Sequence, residues 1–189
     1  SYDEATTLSA ADLITLTRTD TITDGDLDTA SSSASINIGT ALSFKDDGPA
    51  ITVKATAAAD ALVVDETALG TNATADFSNN FTSTPTNGAD GATVASAYTL
   101  SAVAGNSGLV DTASGQNVVL SVNAGVVEGR TATGGDLVFT VSVNTSGTVE
   151  LDQIRAVKQP TGGSSYDEAT TLSAADLITL TRTDTITDG

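Results

Sequence analysis

The sequence contains no cysteine, histidine, methionine or tryptophan, and only 4% of its 189 residues are aromatic. Without cysteine there is no disulfide and no thiolate metal site. Without histidine or cysteine, histidine-based catalytic triads and cysteine nucleophiles are also excluded. A core must therefore come from Val, Leu, Ile and Ala with a few Phe and Tyr. Small β-branched residues of this kind pack well on the pleated faces of a β-sandwich.

Basic residues are also scarce: 7 Lys and Arg stand against 24 Asp and Glu, for a formal net charge of −17. A nucleic-acid partner needs clustered basic residues, and an anionic membrane surface repels an acidic chain. No run of 18 apolar residues is present, so we also expect no membrane insertion. The negative charge has two alternative roles. The acidic side chains either keep the protein soluble, including in salty water, or form carboxylate sites for divalent cations. We expect cation sites, because the acidic residues cluster.

One stretch of the chain occurs twice. Residues 165–189 repeat residues 1–25 without a single difference, at an offset of 164 positions. Such a copy indicates a window slightly longer than one unit of a tandem array. We expect residues 1–45 to be the C-terminal strands of a preceding repeat. We expect residues 46–189 to form the main β-sandwich repeat, with its last strands truncated.

Alternating patterns begin near the N-terminus. They predict strands at 12–23 and 33–44, with Gly39 as a bulge in the second strand. An acidic turn joins the two, which favours either a hairpin or two strands that cross between sheets. Gly48–Pro49 then breaks the pattern, and we expect a domain boundary here.

The remainder of the chain reads as short strands separated by turns. The predicted strands are 50–56, 61–66, 97–104, 116–122, 125–130, 135–143 and 148–157. We expect a turn at Gly105–Gly108, a link at 160–164, and a long polar loop at 70–96 that holds a short strand at most. This spacing is typical of an all-β antiparallel sandwich, and no helix longer than a turn is expected.

The first candidate site is the acidic turn Asp24-Gly25-Asp26-Leu27-Asp28. Alternating carboxylates in a glycine-containing turn can converge their oxygens on one hard cation such as Ca²⁺, which prefers six to eight oxygen ligands. The turn is not an EF-hand, because Thr29 and Ser35 stand where that loop requires Gly and Glu. The alternative is a solvated acidic turn without an ion.

Two further acidic pairs are candidate calcium ligands. Asp46 and Asp47 precede the predicted boundary, and their side chains point in opposite directions in an extended chain. Asp65 and Glu66 end the predicted strand 61–66, near the start of the same unit. Acids at such positions are well placed for calcium at a domain junction, although both pairs can also be ordinary acidic loops.

These segments together resemble a known family of sequences. The phrases are ITDGDLDTA (22–30), FKDDGPAI (44–51), VVDET (63–67), the segment 98–131 and the segment 137–157. They look like the large tandem repeats of type I-secreted, RTX-type adhesins of Gram-negative bacteria. Family members often have Gly in the acidic turn at the position that Leu27 occupies here.

The resemblance implies an Ig-like or cadherin-like β-sandwich that serves as an extender. Such repeats join end to end, bind calcium at their linkers, and project a distal ligand-binding domain from the cell surface into a biofilm. The expected partners are neighbouring repeats of the same chain. From the repeat window itself, we expect the N-terminal strands to complete the sandwich either from within the chain or by strand exchange between fragments. The alternative is a module that binds a glycan or surface through the 70–96 loop. A carboxylate glycosidase has the least support, because nothing marks a catalytic pair.

Overall fold

The computed structural model describes residues 4–56, 59–159 and 168–189, so the expected link at 160–164 lies outside these ranges. The described chain is all-β with antiparallel pairing, and the prediction of a β-sandwich-like fold is confirmed. Its helical elements are 3₁₀ turns of three or four residues. Within these ranges, no helix has the length and apolar character needed to cross a membrane.

The strands follow one another closely along the chain. They are β1 (Ala5–Thr7), β2 (Thr15–Thr23), β3 (Thr29–Asn37), β4 (Ser43–Lys45), β5 (Ala50–Ala55), β6 (Ala73–Asp76), β7 (Phe81–Thr86), β8 (Ala92–Ala102), β9 (Gly105–Val110), β10 (Asn117–Asn123), β11 (Val126–Thr131), β12 (Leu137–Val143), β13 (Thr148–Gln153) and β14 (Ile178–Asp188). The 3₁₀ turns are Ala11–Leu13, Gly39–Ala41, Glu66–Ala68, Phe77–Asn80 and Ala175–Leu177.

The chain divides into two compact units. The smaller unit comprises the described residues up to Ala50 together with Asn87–Ala92 and Asp188–Gly189. Within it, β2 and β3 form a hairpin, the first of the two predicted arrangements, with antiparallel pairing from Thr15↔Asn37 to Thr23↔Thr29. Strand β1 pairs with β4 in a second small ladder.

The prediction of one strand over 33–44 with a bulge at Gly39 was wrong. Strand β3 ends at Asn37, and the chain makes a 3₁₀ turn at Gly39–Ala41 before β4. A Cβ at Gly39 would lie 2.4 Å from the main-chain oxygen of Ala10. Glycine is therefore required by a close backbone approach rather than by a bulge.

The larger unit comprises Ile51–Thr86 and Thr93–Thr187. Its main sheet has six strands in the order β6-β13-β12-β11-β10-β9. Strands β9 to β13 form an antiparallel meander, because each pairs with the next along the chain. Strands β5 and β7 form one two-stranded sheet, and β14 and β8 form another.

The core of this unit is aliphatic, as the composition requires. Its buried members are Leu100, Leu109, Val118, Leu120, Val127, Val138, Phe139, Val141, Val149 and Val157. Leu177, Ile178 and Leu180 pack against them, so β14 contributes to the same core as the six-stranded sheet. Full burial of such a side chain stabilises the fold by about 1.5–3 kcal/mol.

Two further segments were predicted wrongly from the sequence. Gly105–Gly108 is not a turn but lies in β9, where both glycines have positive φ. The register shifts between Asn117 and Val119 of the partner strand, which marks an irregularity of the bulge type. Residues 61–66 are not a strand, because the chain is irregular there until the 3₁₀ turn at Glu66–Ala68.

The segment 70–96 is more ordered than a long loop. It contains β6, the 3₁₀ turn Phe77–Asn80, β7 and the start of β8. Strand β6 pairs with β13 at the edge of the main sheet, and β7 pairs with β5. The composition, rich in Thr, Asn and Ser, concealed these short strands, because their stability comes from sheet pairing rather than from apolar alternation.

Candidate metal centre

The acidic turn between β2 and β3 brings its three carboxylates together. One oxygen from each of Asp24, Asp26 and Asp28 lies within 4.8 Å of the others, and all three residues are exposed. The turn is closed by hydrogen bonds from the N–H of Asp24 to the oxygen of Asp28, at 3.0 Å, and from the N–H of Leu27 to the oxygen of Asp24, at 3.2 Å. Three converging carboxylates supply part of the oxygen shell that a hard cation requires.

Local hydrogen bonds favour the ionised form of Asp24. The hydrogen bond with the Asp26 side chain lowers the pKa of Asp24, and the backbone N–H groups of Asp26 and Asp28 lower it further. Leu27 has a φ of +74°, a left-handed conformation that strains a residue with a Cβ. Leucine at this position therefore makes the turn less stable than glycine would.

A second acidic group lies around Gly88, within the smaller unit. A Cβ at Gly88 would lie 2.5 Å from the main-chain oxygen of Asp47, 3.1 Å from Oδ1 of Asp188 and 3.3 Å from Oδ1 of Asp90. Three oxygens from three separate segments therefore surround this glycine. The N–H of Gly189 donates to the oxygen of Gly91 at 3.1 Å, which ties the end of β14 to the same loop.

The carboxylate of Asp188 lies partly buried among other negative charges in this group. Its Oδ1 is buried and has no hydrogen-bond donor among the described residues. Burial raises the pKa of Asp188, and the negative charges of Asp90 and Asp46 raise it further. A buried carboxylate oxygen among like charges is an arrangement that a bound cation would relieve. We call Asp46, Asp47, Asp90 and Asp188 the polar acidic group.

Sequence reasoning found this group only in part. It selected Asp46 and Asp47, and it saw Asp188 as the second copy of Asp24. It missed Asp90, which lies in the turn at 87–91. The sequence Asn-Gly-Ala-Asp-Gly there carried a signal, since an acidic residue next to a glycine also marks the turn at 24–28.

The third predicted pair has a local structural role. Asp65 caps the 3₁₀ turn that follows it, because its Oδ1 accepts hydrogen bonds from the N–H of Thr67 at 2.9 Å and from its hydroxyl at 2.8 Å. These bonds lower the pKa of Asp65. Glu66 begins the same turn and is exposed. Calcium binding by this pair stays a prediction.

Other acidic residues of the larger unit are held in ion pairs with arginine. Arg155 donates to both carboxylate oxygens of the fully buried Asp111, each at 2.9 Å, and holds the pKa of that carboxyl well below its usual range. Arg182 likewise donates to both oxygens of Asp184, at 2.7 and 3.0 Å. These two carboxylates are therefore occupied by guanidinium groups and do not offer free ligands.

The larger unit also contains an apolar cavity of about 370 Å³. Leu109, Phe139 and Val157 of the core line it, and Glu66 and Glu168 are its acidic residues. The lining contains no histidine, cysteine or basic residue that would pair with these acids for catalysis.

Comparison with known families gives one match. A family model described as a domain of unknown function, DUF5801, matches residues 61–189, which includes β6 to β14 and most of the larger unit. No curated protein and no solved structure matches the chain. Because the matched part exceeds half of the sequence, the chain belongs to the DUF5801 family.

Proposed function

We propose that the chain is a structural extender module of a bacterial adhesion protein, stiffened by calcium. The observation that carries this proposal is the polar acidic group, in which three separate segments contribute oxygens around Gly88. One of these segments contains Asp46 and Asp47, which precede the linker Gly48–Pro49. A cation bound there would tie the linker to the turn at 87–91 and to the end of β14.

The identical repeats support the same reading. Asp188 and Gly189 are the second copy of Asp24 and Gly25, which open the acidic turn. In a tandem array the acidic turn of one unit would therefore come close to the linker that precedes the same unit. Calcium would then take ligands from both and hold them together. The reach of a stiff array grows linearly with the number of units, whereas that of a flexible chain grows as the square root.

The location and partners follow from the resemblance to RTX-type adhesin repeats. We propose that the parent protein is secreted to the surface of a Gram-negative bacterium and that neighbouring repeats are the immediate partners. The distal ligand would bind another domain. The high negative charge fits this role, because repulsion between acidic side chains opposes compaction of the array until calcium neutralises it.

A role as a binding module has less support than the extender role. In that role, the segment 70–96 would recognise a glycan or a surface. Most of that segment is held in β6, β7 and β8 and in a 3₁₀ turn, which leaves 70–72 and 87–91 as its irregular parts. Asp90 in this turn already belongs to the polar acidic group. A catalytic role has the least support, because nothing in the sequence marks a catalytic carboxylate pair.

Small-angle scattering of the chain with and without calcium tests this function. In calcium, we expect the scattering to fit an ensemble with a narrow range of maximum particle dimensions. In excess EGTA, we expect a broader range, because the linker regains its freedom. The variant Asp90→Asn should reduce the calcium response. Asp20→Asn changes an exposed carboxylate outside the candidate sites and should leave the response unchanged. Identical scattering in calcium and EGTA would contradict the stiffening role.

A further inference from the structure

The turn at 87–91 contains the one Asn-Gly pair of the sequence. Asn87 is exposed, whereas Gly88 is partly buried. An asparagine loses ammonia when the main-chain nitrogen of the next residue attacks its side-chain amide carbon. Glycine as the next residue favours this attack, because it has no Cβ to obstruct the approach and its backbone is the least restricted. The sequence thus places the pair most prone to deamidation in this turn.

Both reacting groups of the pair are free of hydrogen bonds within the ranges that the structure describes. The side chain of Asn87 has no hydrogen-bond partner there, and the N–H of Gly88 has no acceptor. Asn144 provides the contrast, because its Oδ1 accepts from the N–H of Ser146 at 3.0 Å and from the N–H of Thr148 at 2.9 Å. An amide held in this way must break its hydrogen bonds before its carbon can be attacked, and Asn87 has none to break.

We propose that Asn87 is a site of spontaneous modification, which converts it to aspartate or isoaspartate. The nitrogen of Gly88 loses its proton and forms a bond to Cγ of Asn87. The bond from Cγ to Nδ2 breaks, and Nδ2 takes up a proton and leaves as ammonia. Water then opens the succinimide ring. Opening at Cγ gives aspartate, whereas opening at the main-chain carbonyl carbon routes the chain through Cβ and Cγ and gives isoaspartate. Water is the only other reactant.

The surroundings of Gly88 make the isoaspartyl product disruptive. A Cβ on this glycine would lie 2.5 Å from the main-chain oxygen of Asp47 and 3.1 Å from Oδ1 of Asp188. Isoaspartate adds one methylene to the main chain immediately before Gly88, so the glycine must shift where its neighbours leave no room for an added carbon on this side. Either product also adds a carboxylate beside a group that already contains Asp90 and Asp188, which increases the repulsion there.

The expected consequence is a looser turn. The N–H of Gly91 donates to the oxygen of Gly88 at 3.2 Å, and this hydrogen bond closes the turn. A shift of Gly88 moves the acceptor of that bond and separates the glycine from Asp47, which precedes the linker Gly48–Pro49. The modification therefore acts as a slow, irreversible switch that loosens the turn from the linker as the protein ages. This effect goes beyond the extender role and requires no calcium.

The first test is peptide mapping by mass spectrometry of the full chain during incubation in mildly alkaline buffer with EGTA. We expect Asn87 to be converted at least about tenfold faster than Asn144 in the same sample, because Gly88 leaves its amide carbon open to attack. The aspartyl and isoaspartyl peptides are separated by chromatography. Asn87→Gln is the matched control, since glutamine forms the corresponding larger ring much more slowly and should keep its mass. Conversion of Asn87 no faster than that of Asn144 would overturn the proposal.

The second test examines the loosening of the turn. Hydrogen exchange of the Gly91 amide is compared between the purified isoaspartyl fraction and the unmodified chain, both in EGTA. We expect exchange at least about tenfold faster in the isoaspartyl fraction, because the turn opens locally. The amide of Gly135, which donates to the oxygen of Thr131 at 3.0 Å in the larger unit, is the internal control and should be unchanged.

Equal exchange of the Gly91 amide in the two fractions would overturn the proposed switch. Incubated Asn87→Gln separates this effect from other damage during ageing, and its Gly91 amide should exchange as in the fresh chain. Both tests are carried out without calcium, so the extender role can fail or succeed independently of their results.

Discussion

Strands β2 and β14 share nine consecutive residues but differ in their environment. In β2 the side chains of Arg18 and Asp20 are 82% and 67% exposed. Their copies in β14, Arg182 and Asp184, are 15% and 0% exposed. The same amino acids therefore form a solvated surface in one place and part of a packed interior in the other.

The comparison separates what a strand sequence determines from what its neighbours determine. Alternation of threonine with apolar and charged residues produces an extended strand in both copies. In β14 the inward position of Arg182 also brings its guanidinium carbon 5.8 Å from the centre of the Tyr98 ring, and one of its nitrogens 3.2 Å from the Ser96 hydroxyl. Burial, and not sequence, makes this ion pair energetically important.

The largest effect is expected when one partner of the buried ion pair is removed. Asp184→Ala leaves Arg182 largely buried and without its carboxylate, which should reduce the free energy of unfolding by about 3–5 kcal/mol. Asp20→Ala makes the same change in the exposed copy and should cost at most about 1 kcal/mol. Urea denaturation of the two variants measures both values.

Equal free energies of unfolding for Asp184→Ala and Asp20→Ala would contradict this prediction. That result would mean that β14 is as exposed in solution as β2. The double variant Arg182→Ala with Asp184→Ala should recover part of the loss, because it removes the unpaired charge together with its partner.

Truncation of a shared leucine should give the next largest difference. Leu180 packs against the core of the larger unit, and Leu16 is 59% exposed. Leu180→Ala should therefore reduce the free energy of unfolding by about 2–3 kcal/mol, near the lower end for a buried leucine. Leu16→Ala should change it by less than about 0.5 kcal/mol. Thermal unfolding of the two variants at low protein concentration checks this.

Low pH should remove the stability that the buried carboxylate of Asp184 contributes. The hydrogen bonds from Arg182 lower the pKa of Asp184 to about 2. Because this folded pKa lies below the unfolded value of about 3.8, the group stabilises the fold above the unfolded pKa. That contribution, of about 2 kcal/mol, is lost as the pH falls from about 4 through about 2.

The measurement is the slope of unfolding free energy against pH over that range. Asp184→Asn should show a shallower slope than the unmodified chain. Equal slopes for the two proteins would contradict the assignment of this acid-sensitive stability to Asp184.

The smallest difference is expected between the two copies of the first aspartate of the turn. Burial and neighbouring charges raise the pKa of Asp188, whereas hydrogen bonds lower the pKa of Asp24. At neutral pH the charged form of Asp188 is therefore disfavoured by folding. In EGTA, Asp188→Asn should raise the melting temperature slightly, and Asp24→Asn should not. A lower melting temperature for Asp188→Asn would show that the polar acidic group is not under repulsion.

Much of the fold followed from sequence patterns, and the exceptions have physical causes. Strands β10 to β13 were predictable, because each alternates and turns with Gly or Asn separate them. Strand β13 ends at Gln153, earlier than the predicted end at 157. Strand β9 was missed, because its glycines imitate a turn. The hairpin partner of β2 followed from alternation around the acidic turn.

The candidate site was less predictable than the fold. The triplet of the acidic turn is local in sequence, so its convergence was foreseen. The polar acidic group joins residues that are far apart, and Asp90 lacked any sequence link to Asp46. The repeat pattern assigned β2 and β14 to different units, but how deeply each strand is buried depends on packing and not on the nine residues that they share.

The most direct test of the calcium-stiffened extender is thermal unfolding of the chain in calcium, in excess EGTA and in magnesium. A cation that binds only the folded state must raise its stability by mass action. We predict a large rise in melting temperature with calcium, and a much smaller one with magnesium, which demands a stricter octahedral site. Equal melting temperatures in calcium and EGTA would contradict the account and leave the acidic residues as a solvated surface.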